Sequence, residues 1–111
     1  MSKKKIYIAG KISGLTLSQY EENFKIAATK LLDLGFKPVS PIINPNEVEF
    51  QNFMWVDWII RGIQLLGGCD GIYLQSNWID SAGARIEKAI AEMLKKRGEF
   101  LIIEEEDETE W

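Results

Sequence analysis

Short apolar runs alternate along this chain with longer segments in which apolar residues recur every three or four positions. Lys5–Ala9 contains the first run, Ile6-Tyr7-Ile8-Ala9, stopped by Gly10, and an unbroken apolar tetrad fits a buried strand. The next segment carries Leu17, Tyr20, Phe24, Ala27, Ala28, Leu31 and Leu34 on one helical face. Ser18 and Glu21 supply a capping-box pair at its start, and Gly35 ends it. Residues 36–40 read as a second strand, with Pro41 and Pro45 marking the loop that follows. Asn52 is expected to cap a second helix in which Trp55, Ile59, Ile63 and Leu66 form a stripe, closed by Gly67-Gly68. Gly71–Leu74 reads as the third strand, entered through Cys69-Asp70. Asp80 or Ser81 then caps a third helix that ends at Gly98. Its Ala82, Ile86, Ala89, Ile90, Met93 and Leu94 are expected to point inward. Residues 99–103 read as the last strand.

Strands alternating with helices imply right-handed crossovers and a parallel sheet covered on both faces. The pattern predicts an α/β, flavodoxin-like (Rossmann-like) three-layer fold with a short parallel sheet of strand order 2-1-3-4. In that order ligands collect beyond the carboxyl ends of strands one and three, where the crossovers diverge. No repeat or linker interrupts the pattern, so residues 1–103 read as one domain and residues 104–111 as an acidic tail.

Composition narrows the function. With 111 residues, 46% of them hydrophobic, the chain can close one core. No apolar run approaches the roughly 18 to 20 residues that span a bilayer. The four apolar residues after Lys3-Lys4-Lys5 are too few for a secretory segment. A single cysteine, Cys69, allows no internal disulfide, and a cytoplasmic location is expected. There is no histidine, which excludes histidine-based triads and zinc sites built on His or Cys; no metal or cofactor is expected. The net charge of −4 arises from Glu104, Glu105, Glu106, Asp107, Glu108 and Glu110, because residues 1–103 carry 13 basic and 11 acidic side chains. Such a tail is expected to be solvated and dispensable for folding, and it argues against a nucleic-acid polymer as partner. The balanced body suits a small anionic ligand.

Three segments could carry chemistry. Gly10, Lys11, Ile12, Ser13 and Gly14 form a loop leading from a strand end towards a helix, either a cradle of N–H groups for an anion or only a turn. Ser81 to Glu87 places a hydroxyl, Gly83 and free N–H groups at a helix start, where an anion binds well. Glu87 lies about one turn in. It is either a carboxylate held ionised by the helix dipole and facing a pocket, or a solvated helical glutamate. Asn77 and Trp78, with Trp55 and Trp58, could stack a nucleobase or serve as core and rim. Cys69 reads as a small buried hydrophobe.

Taken together, residues 6–14 (Ile-Tyr-Ile-Ala-Gly-Lys-Ile-Ser-Gly), Trp55-Val-Asp-Trp58, residues 69–74 (Cys-Asp-Gly-Ile-Tyr-Leu), Trp78 and residues 81–87 (Ser-Ala-Gly-Ala-Arg-Ile-Glu) resemble a small phage and bacterial family of unknown function. That family is similar to the nucleoside 2-deoxyribosyltransferases and the 2'-deoxynucleoside 5'-monophosphate N-glycosidases. The resemblance covers about residues 5–97, and the Ser-x-Gly-x-x-x-Glu spacing is its most specific part. It implies an enzyme that hydrolyses or transfers the N-glycosidic bond of a 2'-deoxynucleoside or its 5'-monophosphate. Glu87 would be the nucleophile, Ser81 and Gly83 the phosphate or sugar contacts, and the Gly10–Gly14 loop part of the same pocket. It also implies a homodimer or higher homo-oligomer. One position departs: the relatives carry an aspartate in the second helix where this chain has Gly62, preceded by Arg61, while Asp57 matches a different position. On that basis Gly62→Asp is expected to restore base release. The alternative is a non-catalytic protein that sequesters or senses a nucleotide.

Overall fold

Strand β1 (Lys5–Ala9) forms the centre of the sheet because its four apolar residues are all buried. The structure, a computed structural model, describes residues 3–42 and 54–105. After β1 the chain turns through Gly14, whose φ of 84° lies in the left-handed region, and enters helix α1 (Leu17–Asp33). Strand β2 (Lys37–Val39), helix α2 (Trp55–Gly67) and strand β3 (Gly71–Leu74) follow, then a single 3-10 turn (Trp78–Asp80). Helix α3 (Ala82–Arg97) and strand β4 (Leu101–Glu104) complete the order.

All strand pairs are parallel and the sheet order is β2-β1-β3-β4, as the sequence pattern predicts. Strand alternation sends Ile6, Ile8 and Tyr73 to one face, where they pack with Phe24, Ala27 and Leu31 of α1. Tyr7, Ala9, Ile72 and Leu74 face the other way and pack with Leu66 of α2 and with Ala84 and Ala91 of α3. The result is three layers, with one helix on one face and two on the other.

Several boundaries differ from those read in the sequence. Thr16, not Ser18, caps α1: its hydroxyl accepts from Gln19 N–H at 3.2 Å, and Gln19 reaches back to Thr16 N–H at 2.9 Å. Both hydroxyl-x-x-acid/amide pairs fit the capping rule, and the earlier one satisfies the helix's first N–H groups directly after the Gly14 turn. Helix α2 has Met54 as its N-cap, with Asp57 accepting from Met54 N–H at 2.8 Å; Asn52 lies outside the described residues. The inner face of α3 is rotated from the expected one. Gly83, Ala84, Glu87 and Ala91 are buried and Ile90 and Leu94 pack against the core as expected, while Ala82, Ile86, Ala89 and Met93 are exposed. Two apolar stripes run along this helix, and the sheet takes the one in which Gly83, Ala84 and Ala91 let the backbone sit close to the strands.

The acidic tail begins later than expected, because residues 104 and 105 belong to the fold. Glu105 N–H donates to Leu74 O at 2.9 Å, extending the β3–β4 ladder. Its carboxylate accepts from Lys30 Nζ at 2.8 Å, Tyr73 OH at 2.9 Å and Ser76 N–H at 2.9 Å. Burial alone would raise the Glu105 carboxyl, but these three donors outweigh it and lower it. Truncation after Ile103 therefore removes a structural anchor. The cluster is partly exposed and its three bonds are not additive, so their joint loss is worth about 1.5 to 2 kcal/mol, and Glu105→Ala should lower the melting temperature by about 5 to 15 °C. The loss should be largest above the ordinary glutamate range and fade as acid protonates the carboxylate. Thermal melts across pH measure it, whereas truncation after Glu105 should change little.

Candidate functional site

The two central strands end side by side, and everything the sequence marks as chemistry lies near those ends. Helix α3 starts just past β3, with Ser81 as its N-cap: the hydroxyl accepts from Ala84 N–H at 3.1 Å, and Ser81 O accepts from Arg85 N–H at 3.0 Å. Side chains on a helix lean towards its N-terminus, so Glu87 points back towards the strand ends and onto the sheet. There Tyr7 OH donates to Glu87 Oε2 at 2.6 Å. Glu87 is only 6% exposed, so it is not a solvated surface glutamate.

Gly62 of α2 closes the third side. A Cβ at this position would run into Glu87 Oε2 and Tyr7 OH, so the α2 backbone can approach the pair only because the residue is glycine. An aspartate at position 62, as in the relatives, therefore requires Glu87 and Tyr7 to shift from where they now meet. Arg61 holds the same turn of α2 in place, its Nε donating to Pro41 O at 2.9 Å.

Burial pushes the Glu87 carboxyl up from 4.5 to about 7, against the Tyr7 hydrogen bond, which favours the ionised form. Burial, and then the neighbouring Glu87 charge, raise the Tyr7 phenol well above its ordinary value of 10. Tyr7 therefore stays a donor throughout the range in which Glu87 titrates.

A pocket opens onto Glu87. Gly10, Ile12 and Ser13 line it from the loop after β1, and Ser81 and Gly83 line it from the start of α3. Phe24, Pro41, Trp58 and Ile59 supply an apolar wall. Its volume is about 40 Å³, room for one or a few waters and far below the roughly 300 Å³ at which ligand pockets begin. No basic side chain lines it among the described residues, and none of these residues form a cluster of three or more His, Cys, Asp or Glu suited to a metal. Nor is any helix among them long and apolar enough to cross a membrane.

Of the residues singled out from sequence, Gly10, Ile12, Ser13, Trp58, Ser81, Gly83 and Glu87 meet in this pocket. Lys11, Gly14, Asn77 and Trp78 lie outside its lining. Lys11 N–H donates to Asn77 Oδ1 at 3.1 Å, which ties the first loop to the segment after β3. Trp78 packs against the core, with the Lys88 ammonium 4.8 Å from its ring centroid. Gly10 is required by packing as well, since a Cβ there would run into the Gln75 side chain. Cys69 is half-buried against the core and its Sγ donates to Leu65 O at 3.3 Å. Sequence reasoning missed Tyr7 and the packing role of Gly62. A tyrosine inside an otherwise aliphatic buried strand was the available signal, because its hydroxyl needs a partner.

Two stability measurements follow. Alanine normally improves a helix over glycine by about 1 kcal/mol, but Gly62→Ala should lower the melting temperature, since Tyr7 and Glu87 must separate. Gly62→Asp should lower it further by adding a like charge. The raised Glu87 carboxyl makes the folded state hold a proton that the unfolded chain has lost, so its contribution favours folding below 4.5 and disappears as pH rises to about 7. Glu87→Gln should remove that slope, so that the variant gains on the wild type by a few kcal/mol between pH 4.5 and 7. A parallel slope in both proteins would contradict the burial of this carboxylate.

No curated protein matches the chain. The family described as Domain of unknown function (DUF4406) matches residues 4–98, which takes in Tyr7, Gly62, Glu87 and every residue of the pocket. The chain belongs to that family.

Proposed function

We propose that the protein is a deoxyribosyltransferase-like enzyme that cleaves or transfers the N-glycosidic bond of a 2'-deoxynucleoside or its 5'-monophosphate. The observation that carries the reading is the buried Glu87 carboxylate, fixed by Tyr7 and opening onto the pocket between the ends of β1 and β3. A helical glutamate with no task would face water, and burying it costs free energy that functional sites commonly tolerate.

The chemistry uses the chain's own groups. Tyr7 holds Oε2, so Oε1 is the oxygen available to attack the anomeric carbon. A C–O bond forms to the sugar while the glycosidic C–N bond breaks. The base leaves with that electron pair and takes its proton from solvent. Water, or a second base, then attacks the same carbon and returns the free carboxylate, as in retaining glycosidases. The Tyr7 hydrogen bond lowers the cost of holding Glu87 ionised before attack.

Two features favour the alternative, a protein that binds a nucleotide without cutting it. The α2 backbone occupies the place of a second acid, and a nucleoside fits only if α2 and the β1–α1 loop move apart. A panel of deoxynucleosides and their 5'-monophosphates, followed by assay of free base, separates the two readings. The enzyme should release base with an acidic limb centred near pH 7, where Glu87 ionises. Glu87→Gln should lose at least about a thousandfold in turnover while still binding ligand. Tyr7→Phe should shift the acidic limb to higher pH, since the hydrogen bond that favours ionisation is gone. Binding by the wild type with no base released would establish the sequestering alternative. Unchanged turnover in Glu87→Gln would end the role of Glu87 as nucleophile.

A further inference from the structure

Glu87 has a counterpart on the other face of the sheet. Gln75, just past β3, is only 3% exposed, and its Nε2 has no hydrogen-bond partner among the described residues. Its backbone N–H donates to Ala9 O at 3.0 Å, which continues the β1–β3 ladder and sets Gln75 beside Gly10. Strand alternation then sends its side chain to the α1 face, as it does Tyr73. The amide lies where a side chain at position 10 would stand. The chain thus forgoes a side chain at position 10 to hold an amide whose N–H groups bond to nothing. A buried donor without a partner costs free energy that a methionine or leucine at position 75 would avoid.

The Gln75 side chain forms one wall of a cleft of about 180 Å³, completed by Asn23 and Ile26 of α1 and by Ser76, Asn77 and Glu105. The cleft shares no lining residue with the Glu87 pocket. Its polar groups are partly committed. Asn77 Oδ1 accepts from Lys11 N–H, which leaves the Asn77 amide nitrogen as a donor. Glu105 Oε1 accepts from Lys30 and Tyr73, whereas Oε2 accepts from Ser76 N–H and has capacity for one donor more. The cleft therefore offers two amide donors and one carboxylate acceptor. The Glu105 carboxyl is lowered and so ionised, which disfavours an anion here. A cation would leave the N–H groups of Gln75 and Asn77 unpaired. What satisfies both sides is a neutral molecule carrying an acceptor and a donor together.

We propose that this cleft binds a small cyclic amide, a single ring with a carbonyl next to an N–H, in which Gln75 donates to the carbonyl and Glu105 accepts the N–H. The terminal torsion of a glutamine is broad, so the amide turns its N–H groups towards the cleft without moving the backbone. One ring suits the volume, since pockets for larger ligands begin at roughly 300 Å³. The inference does not rest on the catalytic reading of Glu87, which lies on the opposite face.

Uracil, neutral and carrying both groups, is the probe, and its N,N-dimethylated form, with the carbonyls but no N–H, is the control. Titration of the full chain with uracil up to about 10 mM should shift the backbone amide NMR signals of Gln75, Ser76 and Asn77, with a Kd of about 1 mM. The dimethylated form should bind at least about tenfold more weakly. Gln75→Met, similar in length and shape, should also bind uracil at least about tenfold more weakly, with a melting temperature no lower than that of the wild type. Absence of shifts at 10 mM uracil overturns the proposal, as does equal binding of the dimethylated form. Undiminished binding by Gln75→Met removes the role of Gln75. Shifts confined to Gly83 and Glu87 would put the probe in the other pocket and overturn it as well.

Discussion

A carboxylate buried against a sheet must be paired, and the way Glu87 is paired governs the layout of the face on which it lies. Its Oε2 accepts a hydrogen bond from the Tyr7 hydroxyl at 2.6 Å, which ties the middle of β1 to the second turn of α3 across the core. That bond leaves no space for a side chain on the neighbouring helix, so α2 must present Gly62 at the point of contact. Gly83 plays the matching part between α2 and α3, receiving the tip of Ile59, which a side chain at position 83 would displace. The close three-way approach of β1, α2 and α3 thus follows from one buried hydrogen bond and two missing side chains. It also explains why the pocket is narrow.

The sheet carries a second anchored carboxylate on its opposite face, and the two respond to acid in opposite senses. Glu105 collects three donors and is lowered, so it stabilises the fold as long as it is ionised. Glu87 has one donor and almost no solvent, is raised, and favours the fold when protonated. The difference comes both from depth, since Glu87 is the more deeply buried, and from the number of hydrogen bonds, three donors on Glu105 against one on Glu87. A fold that needed only stability would gain by replacing Glu87 with glutamine or an apolar residue. Keeping an ionisable group there is the strongest structural reason to regard the pocket as chemical.

The exposed half of the α2–α3 surface bears on how the expected core of α3 went astray. Ala82, Ile86, Ala89 and Met93 have the spacing of a buried stripe, and they border the equally apolar Val56, Ile60 and Ile63. Periodicity reports that a face is apolar, and it is silent on whether the sheet or another surface covers it. In α3 the sheet takes the face carrying Gly83, Ala84, Glu87 and Ala91, flanked by Ile90 and Leu94.

The sequence by itself determined the elements, their order and the parallel sheet, because apolar runs, glycine stops and alternation of strand with helix are local properties, and right-handed crossovers then leave few topologies. It also brought the Gly10 loop, Ser81 and Glu87 to one end of the sheet, since residues after strand ends must gather there. Only the tertiary structure decided what those residues meet. Tyr7 and Glu87 stand 80 positions apart, and nothing local says that a hydroxyl in the first strand will face a carboxylate in the last helix. By the family resemblance Gly62 stands where relatives carry an aspartate, whereas in three dimensions it is where that pair touches the backbone of α2. Glu105 reads as part of a charged tail until Lys30 of α1, Tyr73 of β3 and Ser76 of the turn after β3 converge on it. Such contacts depend on the register of packed layers, which residue periodicity along the chain does not encode.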